Sequence, residues 1–162
     1  MLTRRELLTR AGLGALGLVI VPKMLEGLAV LPAAVEAKPV AMKIYKSASC
    51  GCCKLWVAHV NANGFAAQAI DLSDADLQGK KQELGVPEAV QSCHTAVAGN
   101  YVIEGHVPAD LILRLLKEHP VALGLAVPGM VAGSPGMEGR ASQHYDVVMF
   151  QKNGATKTYA TR

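Results

Sequence analysis

Residues 40–64, VAMKIYKSASCGCCKLWVAHVNANG, contain the change of period on which the fold turns. Val40–Ser47 alternates, with Met42 and Ile44 on one parity and a lysine on the other, as a strand does. Cys53–Gly64 instead spaces Leu55, Trp56, His59 and Val60 as a helix does, and Gly64 supplies a stop. Between them Cys50, Cys52 and Cys53 crowd into four positions. The distant Cys93, in QSCHTAV, brings the chain's total to four cysteines.

The periods continue downstream. Phe65–Asp71 reads as a short second strand. Ser73 or Asp74 can cap a helix that runs through Leu84 and ends at Gly85. His94–Gly105 reads as a hairpin with Gly99-Asn100 in its turn. Pro108–His119 is an amphipathic helix with Pro108 in its first turn and Lys117 and His119 in its last. Residues 120–144, rich in Gly and Pro, are expected to form an ordered loop, and 145–161 a closing hairpin around Asn153-Gly154. A strand running straight into C-x-x-C at a helix start predicts an α/β, thioredoxin-like fold: a central mixed sheet flanked by helices, with an extra C-terminal hairpin.

The opening residues change what the thiols mean. Arg4-Arg5 followed by Glu6-Leu7-Leu8 reads as a twin-arginine export signal, an address and not an anchor. The apolar run from Ala11 to Pro22 falls well short of the roughly 20 residues of a membrane span. Val35-Glu36-Ala37 predicts cleavage after Ala37, so residues 1–37 are expected to be a signal peptide and 38–162 one periplasmic domain. The alternative, an uncleaved anchor from Ala11 to about Val35, has Lys23 and Glu26 against it. The mature chain keeps 12 basic and 10 acidic residues, a net charge of +2 with no basic stripe for nucleic acid. No stable membrane insertion is expected after cleavage.

In an exported protein four cysteines allow three readings: a staple of two disulfides (Cys50–Cys53 with Cys52–Cys93), a redox dithiol, or a metal–thiolate site. Cys50 at a helix N-terminus favours a thiolate, which serves redox exchange and metal binding alike. Several features lean toward metal. Cys52 lies inside the Cys50–Cys53 spacing, where a simple dithiol needs nothing. Cys93 occupies the place before the third strand where thioredoxins usually carry a cis-proline, beside the motif in that fold. The Gly-Pro loop Val127–Gly139 holds Met130 and Met137. Thiolates with thioethers select Cu(I), and three cysteines in one turn suit bridging of several ions better than one tetrahedral zinc.

The motifs MKIYKSASCGCCKLW (42–56), SCHTAVAGNYVIEGHVPAD (92–110) and GLAVPGMVAGSPGMEG (124–139) resemble the exported CopG-like copper-resistance family, long catalogued as a domain of unknown function. The resemblance spans about residues 40–151. It implies a thioredoxin-like fold, Cu(I) held by Cys50, Cys52, Cys53 and Cys93 (with Met137 and, further out, His94 and His106) and a role in periplasmic copper tolerance. That role could be buffering, transfer to other periplasmic copper-handling proteins, or Cu(I)/Cu(II) interconversion. The alternative is a thiol–disulfide oxidoreductase using Cys50/Cys53, with Cys93 as resolving thiol.

The remaining histidines have plainer expectations. His94 follows Cys93 in an incipient strand and is expected to point to the opposite face. His106 is expected to fix a loop, His59 to lie too far along its helix to reach the motif, and His119 and His144 to be surface or cap residues. Trp56 is expected in the core.

Overall fold

A computed structural model describes residues 38–139 and 143–162. The expected signal peptide, its cleavage site and the alternative anchor lie outside them. Strand β1 (Val40–Ser47) leads into helix α1 (Gly51–Ala62), which returns the chain to β2 (Phe65–Leu72). Helix α2 (Asp74–Glu83) follows, opened by Ser73, whose hydroxyl accepts the Asp76 N–H at 3.1 Å. After a single 3-10 turn at Glu88–Val90 come β3 (His94–Ala98), β4 (Tyr101–Glu104), α3 (Ala109–Glu118), β5 (Gly124–Ala126), β6 (Asp146–Phe150) and β7 (Thr156–Thr161).

The strands form one sheet in the order β2-β1-β3-β4-β5-β6-β7. β1 and β2 are parallel, as strands joined through a crossover helix must be, with Val40 opposite Phe65 and Ser47 opposite Leu72. β3 runs antiparallel to both β1 and β4, and Ala98 pairs with Tyr101 around the two-residue Gly99-Asn100 turn. This is the thioredoxin-like arrangement that the period change at residues 40–64 predicts.

Alternation along the strands sends side chains to two cores. On one face Met42, Ile44, Ala96 and Ile103 pack with Trp56 and Val60 of α1 and Leu111, Ile112 and Leu115 of α3. On the other, Val102, Ala126 and Phe150 pack with Val86 and Val90, which follow α2. The sheet is therefore covered on both sides at β4, whose end leads to the Cys motif. Among the described residues no helix is long and apolar enough to cross a membrane.

One expectation needs correction. Residues 120–144 are not wholly loop: β5 lies within them, parallel to β4 and antiparallel to β6. The C-terminal hairpin therefore continues the central sheet. Three residues buried on both faces show no alternation, so the segment carries no period to read.

Candidate metal centre

The cysteines stand where β1 ends and α1 begins. Cys50 is the N-cap of α1, in extended conformation, and its sulfur accepts the Cys53 N–H at 3.3 Å. A sulfur thus fills the place usually held by a Ser or Asp oxygen. The helix starts two residues earlier than its apolar spacing suggests, which puts Cys52 and Cys53 in its first turn directly behind the capping Cys50. Cys93 approaches from the bend before β3. Its sulfur lies 3.6 Å from that of Cys53, while those of Cys50 and Cys52 are 3.5 Å apart. All four sulfurs fall within 4.8 Å of one another. Cys50 and Cys53 are joined by a disulfide, and Cys52 and Cys93 are free thiols. Of the two bridges in the staple reading, only the first is formed.

Two histidines enter the site. His94 was expected to face away from Cys93, but Cys93 precedes β3 and the alternation of a strand does not apply to it. Its sulfur is 3.3 Å from His94 Nδ1 and 3.1 Å from His106 Nε2. His106 does fix a loop, because Nδ1 donates to the Pro135 carbonyl at 2.7 Å. A carbonyl can only accept, so the proton sits on Nδ1 and Nε2 presents a lone pair to Cys93. Cys93, His94 and His106 accordingly form a second group of convergent ligand atoms. The His94 ring is wholly buried between Trp56 and His106, at centroid distances of 4.4 and 5.0 Å, and its Nε2 has no partner among the described residues.

Burial governs the charges. It holds His94 well below the ordinary imidazole range, reinforced by His106, Lys81 and Lys46, and it also lowers His106. It pushes the Cys93 thiol up to about 12, with Cys52 adding to the effect. An S–H on Cys93 donating to His106 Nε2 satisfies both groups, and a soft metal ion could take that proton's place.

The loop of residues 127–139 closes over the site. Gly136 has φ +83°, and a Cβ there would stand 2.8 Å from the Trp56 backbone nitrogen and 2.9 Å from the Cys52 carbonyl oxygen, so only glycine lets the loop touch α1. Met137, next in sequence, is half-buried, whereas Met130 is 63% exposed. His59 stays outside the ligand groups, accepting the Ala109 N–H at the start of α3. His119 forms the α3 C-cap and His144 is exposed, as expected.

Sequence reasoning missed the support behind Cys93. Glu104 is completely buried and its carboxylate meets Lys81 Nζ, the Thr95 hydroxyl and the Ser92 N–H. Burial raises its pKa, opposed by Lys81 and the two other donors. The only signal was a glutamate closing the apolar run Tyr101–Ile103.

Residues 90–137 match a family described as a protein of unknown function, DUF411. Comparison with curated protein sequences finds no match. Two solved structures are similar over nearly their whole length, both of the copper resistance protein CopG. One, Form 2, is 44% identical with a TM-score of 0.68; the other, Form 1, is 42% identical with a TM-score of 0.70. Each alignment covers 76% of this chain and 98% of the solved chain. The chain belongs to the CopG-like copper-resistance family. Membership in the CopG-like family and the Cys/His cluster together suggest metal binding, with copper as the metal.

Proposed function

We propose that this protein holds Cu(I) in the thiolates of Cys50, Cys52, Cys53 and Cys93, and that this serves copper tolerance in the periplasm. The observation that supports it best is the convergence of four sulfurs within 4.8 Å of one another at a helix N-terminus. Bridging thiolates share ions at such separations, so more than one copper can be held. Met137 and His106 are offered as outer ligands from the covering loop and the bend that follows β4. Soft sulfur donors favour Cu(I), and the buried neutral imidazoles add nitrogen donors without adding charge.

The disulfide gives the site a redox side. Reduced Cys50 and Cys53 can pass two electrons to two Cu(II) ions, forming their S–S bond, two Cu(I) and two protons. The same disulfide favours a second reading, a thiol–disulfide oxidoreductase in which Cys50 and Cys53 exchange with other thiols and copper is incidental.

Anaerobic Cu(I) titration of the reduced mature protein tests the choice. Wild type is expected to load copper and Cys52→Ser to lose stoichiometry. Full occupancy in Cys52→Ser, with disulfide exchange intact, would put the oxidoreductase reading first. Export is tested separately: replacing Arg4 and Arg5 with lysine is expected to leave the precursor in the cytoplasm, and unaltered export would point to the general secretion route.

A further inference from the structure

We propose that Glu104 is a positioning residue for Cys93, fixing the place of its sulfur through the Ser92 N–H. Cys93 stands where the sheet gives it no hold. The β1–β3 pairing ends at His94, and the β3–β4 pairing begins with Thr95 opposite Glu104. Ser92 and Cys93 therefore lie beyond both ladders. Glu104 Oε1 reaches past the end of the sheet to accept the Ser92 N–H at 2.6 Å, while Oε2 accepts the Thr95 hydroxyl at 2.6 Å. The carboxylate thus grips the residue before Cys93 and the residue after His94. Lys81 Nζ, from α2, meets Glu104 Oε1 at 2.5 Å and Thr95 Oγ1 at 2.9 Å, which keeps the carboxylate in place.

Gly105 completes the device. A Cβ there would stand 2.5 Å from the Ser92 Cβ and 2.7 Å from the Val127 carbonyl, so the Cys93 bend rests directly on the backbone at Gly105. Ser92 Oγ donates in turn to the Gly129 carbonyl of the covering loop. The run Glu104-Gly105-His106 accordingly acts on Cys93 three times: a carboxylate holds its neighbour, a missing side chain admits the bend, and an imidazole faces its sulfur. A buried ion pair is weak evidence for stability, since well-packed apolar replacements are often no worse. Donors and acceptors placed around a liganding side chain, in contrast, orient it.

Two double variants separate these roles. In Lys81→Met/Glu104→Gln both charges go, but an acceptor for the Ser92 N–H remains. In Lys81→Met/Glu104→Leu the acceptor goes as well. The leucine pair is expected to bind Cu(I) about 10–100-fold more weakly, with four thiols after reduction, and the glutamine pair to bind like wild type. The inference relies on the copper reading for this arm only. The other arm uses no metal: in a Cys52→Ala background with the Cys50–Cys53 disulfide intact, Cys93 is the single thiol. Its alkylation by iodoacetamide is expected to quicken several-fold in the leucine pair and to stay at the wild-type rate in the glutamine pair. Wild-type alkylation in both pairs would overturn the proposal, and so would equal acceleration in both, which would assign the effect to the charges. Should the leucine pair fail to fold, Glu104→Asp, shorter by one methylene with Lys81 retained, is expected to show the same acceleration, and a wild-type rate there would overturn it. Absence of Cu(I) binding by wild type would sink the copper reading and leave the alkylation result to decide this one.

Discussion

At Cys93 three requirements meet in one side chain. It must come close enough to Cys53 for the two sulfurs to share a metal ion, accept burial, and give up a proton when metal binds. The 3.6 Å sulfur–sulfur separation meets the first, and a thiol pushed up to about 12 shows the cost of the other two. Cys93→Ala is expected to keep the fold, because alanine fits the same half-buried space, and to lower the copper bound per reduced chain. Circular dichroism with anaerobic copper titration checks both, and unchanged stoichiometry would remove Cys93 from the site. Thiol counting gives a simpler check. The protein in the state described should titrate two thiols in denaturant, those of Cys52 and Cys93, and four after reduction.

Among the elements, the covering loop and the C-terminal hairpin do different jobs. Gly136→Ala is expected to lift residues 127–139 from α1, loosening the Pro135–His106 bond, with copper affinity falling about tenfold or more and the unfolding midpoint changing little. Wild-type affinity in this variant would mean that the loop does not shape the site. Phe150, by contrast, is wholly buried in β6 against Val86, Val90, Val102 and Ala126. Phe150→Ala is expected to cost about 3–5 kcal/mol in urea unfolding while leaving copper stoichiometry intact. A loss well under 1 kcal/mol would make the hairpin an appendage to the sheet and not part of its core.

For the whole molecule, the imidazoles of buried His94 and His106 and half-buried His59, together with Cys93, set a pH window for stability. His59, His94 and His106 are all held below the ordinary 6.5, so the unfolded chain binds protons that the folded one refuses. Their contribution is complete above about 6.5 and is lost as pH falls through their lowered values. Cys93 acts from the other side. Its raised thiol stabilises the fold fully below its ordinary 9.0, and that share is lost as pH climbs toward about 12. The metal-free protein is therefore expected to melt highest between about pH 6.5 and 9, with the midpoint falling on either side. Glu104, raised by burial, works against the acid-side loss. A midpoint that stays flat from pH 7 down to 5 would contradict the assignment of these histidines as neutral.

Local pattern alone determined the strand–motif–helix order, the two hairpins and α3: alternation marks β1, helical spacing marks α1 and α3, and Gly99-Asn100 and Asn153-Gly154 mark the turns. It also located the four cysteines and the glycine-rich loop as chemistry to be explained. Only the folded chain decided what lies within reach of what. β5 is three residues long and buried on both faces, so no period marks it. The direction of His94 depended on whether Cys93 sits inside β3 or just before it, a boundary one residue wide that spacing cannot resolve. The lone pair on His106 depends on a carbonyl 29 residues away, and the hold of Glu104 on Ser92 depends on a lysine from α2. Such pairings are set by tertiary contact between segments whose own propensities are indifferent to it, and burial then turns each of them into a fixed charge state or a fixed orientation.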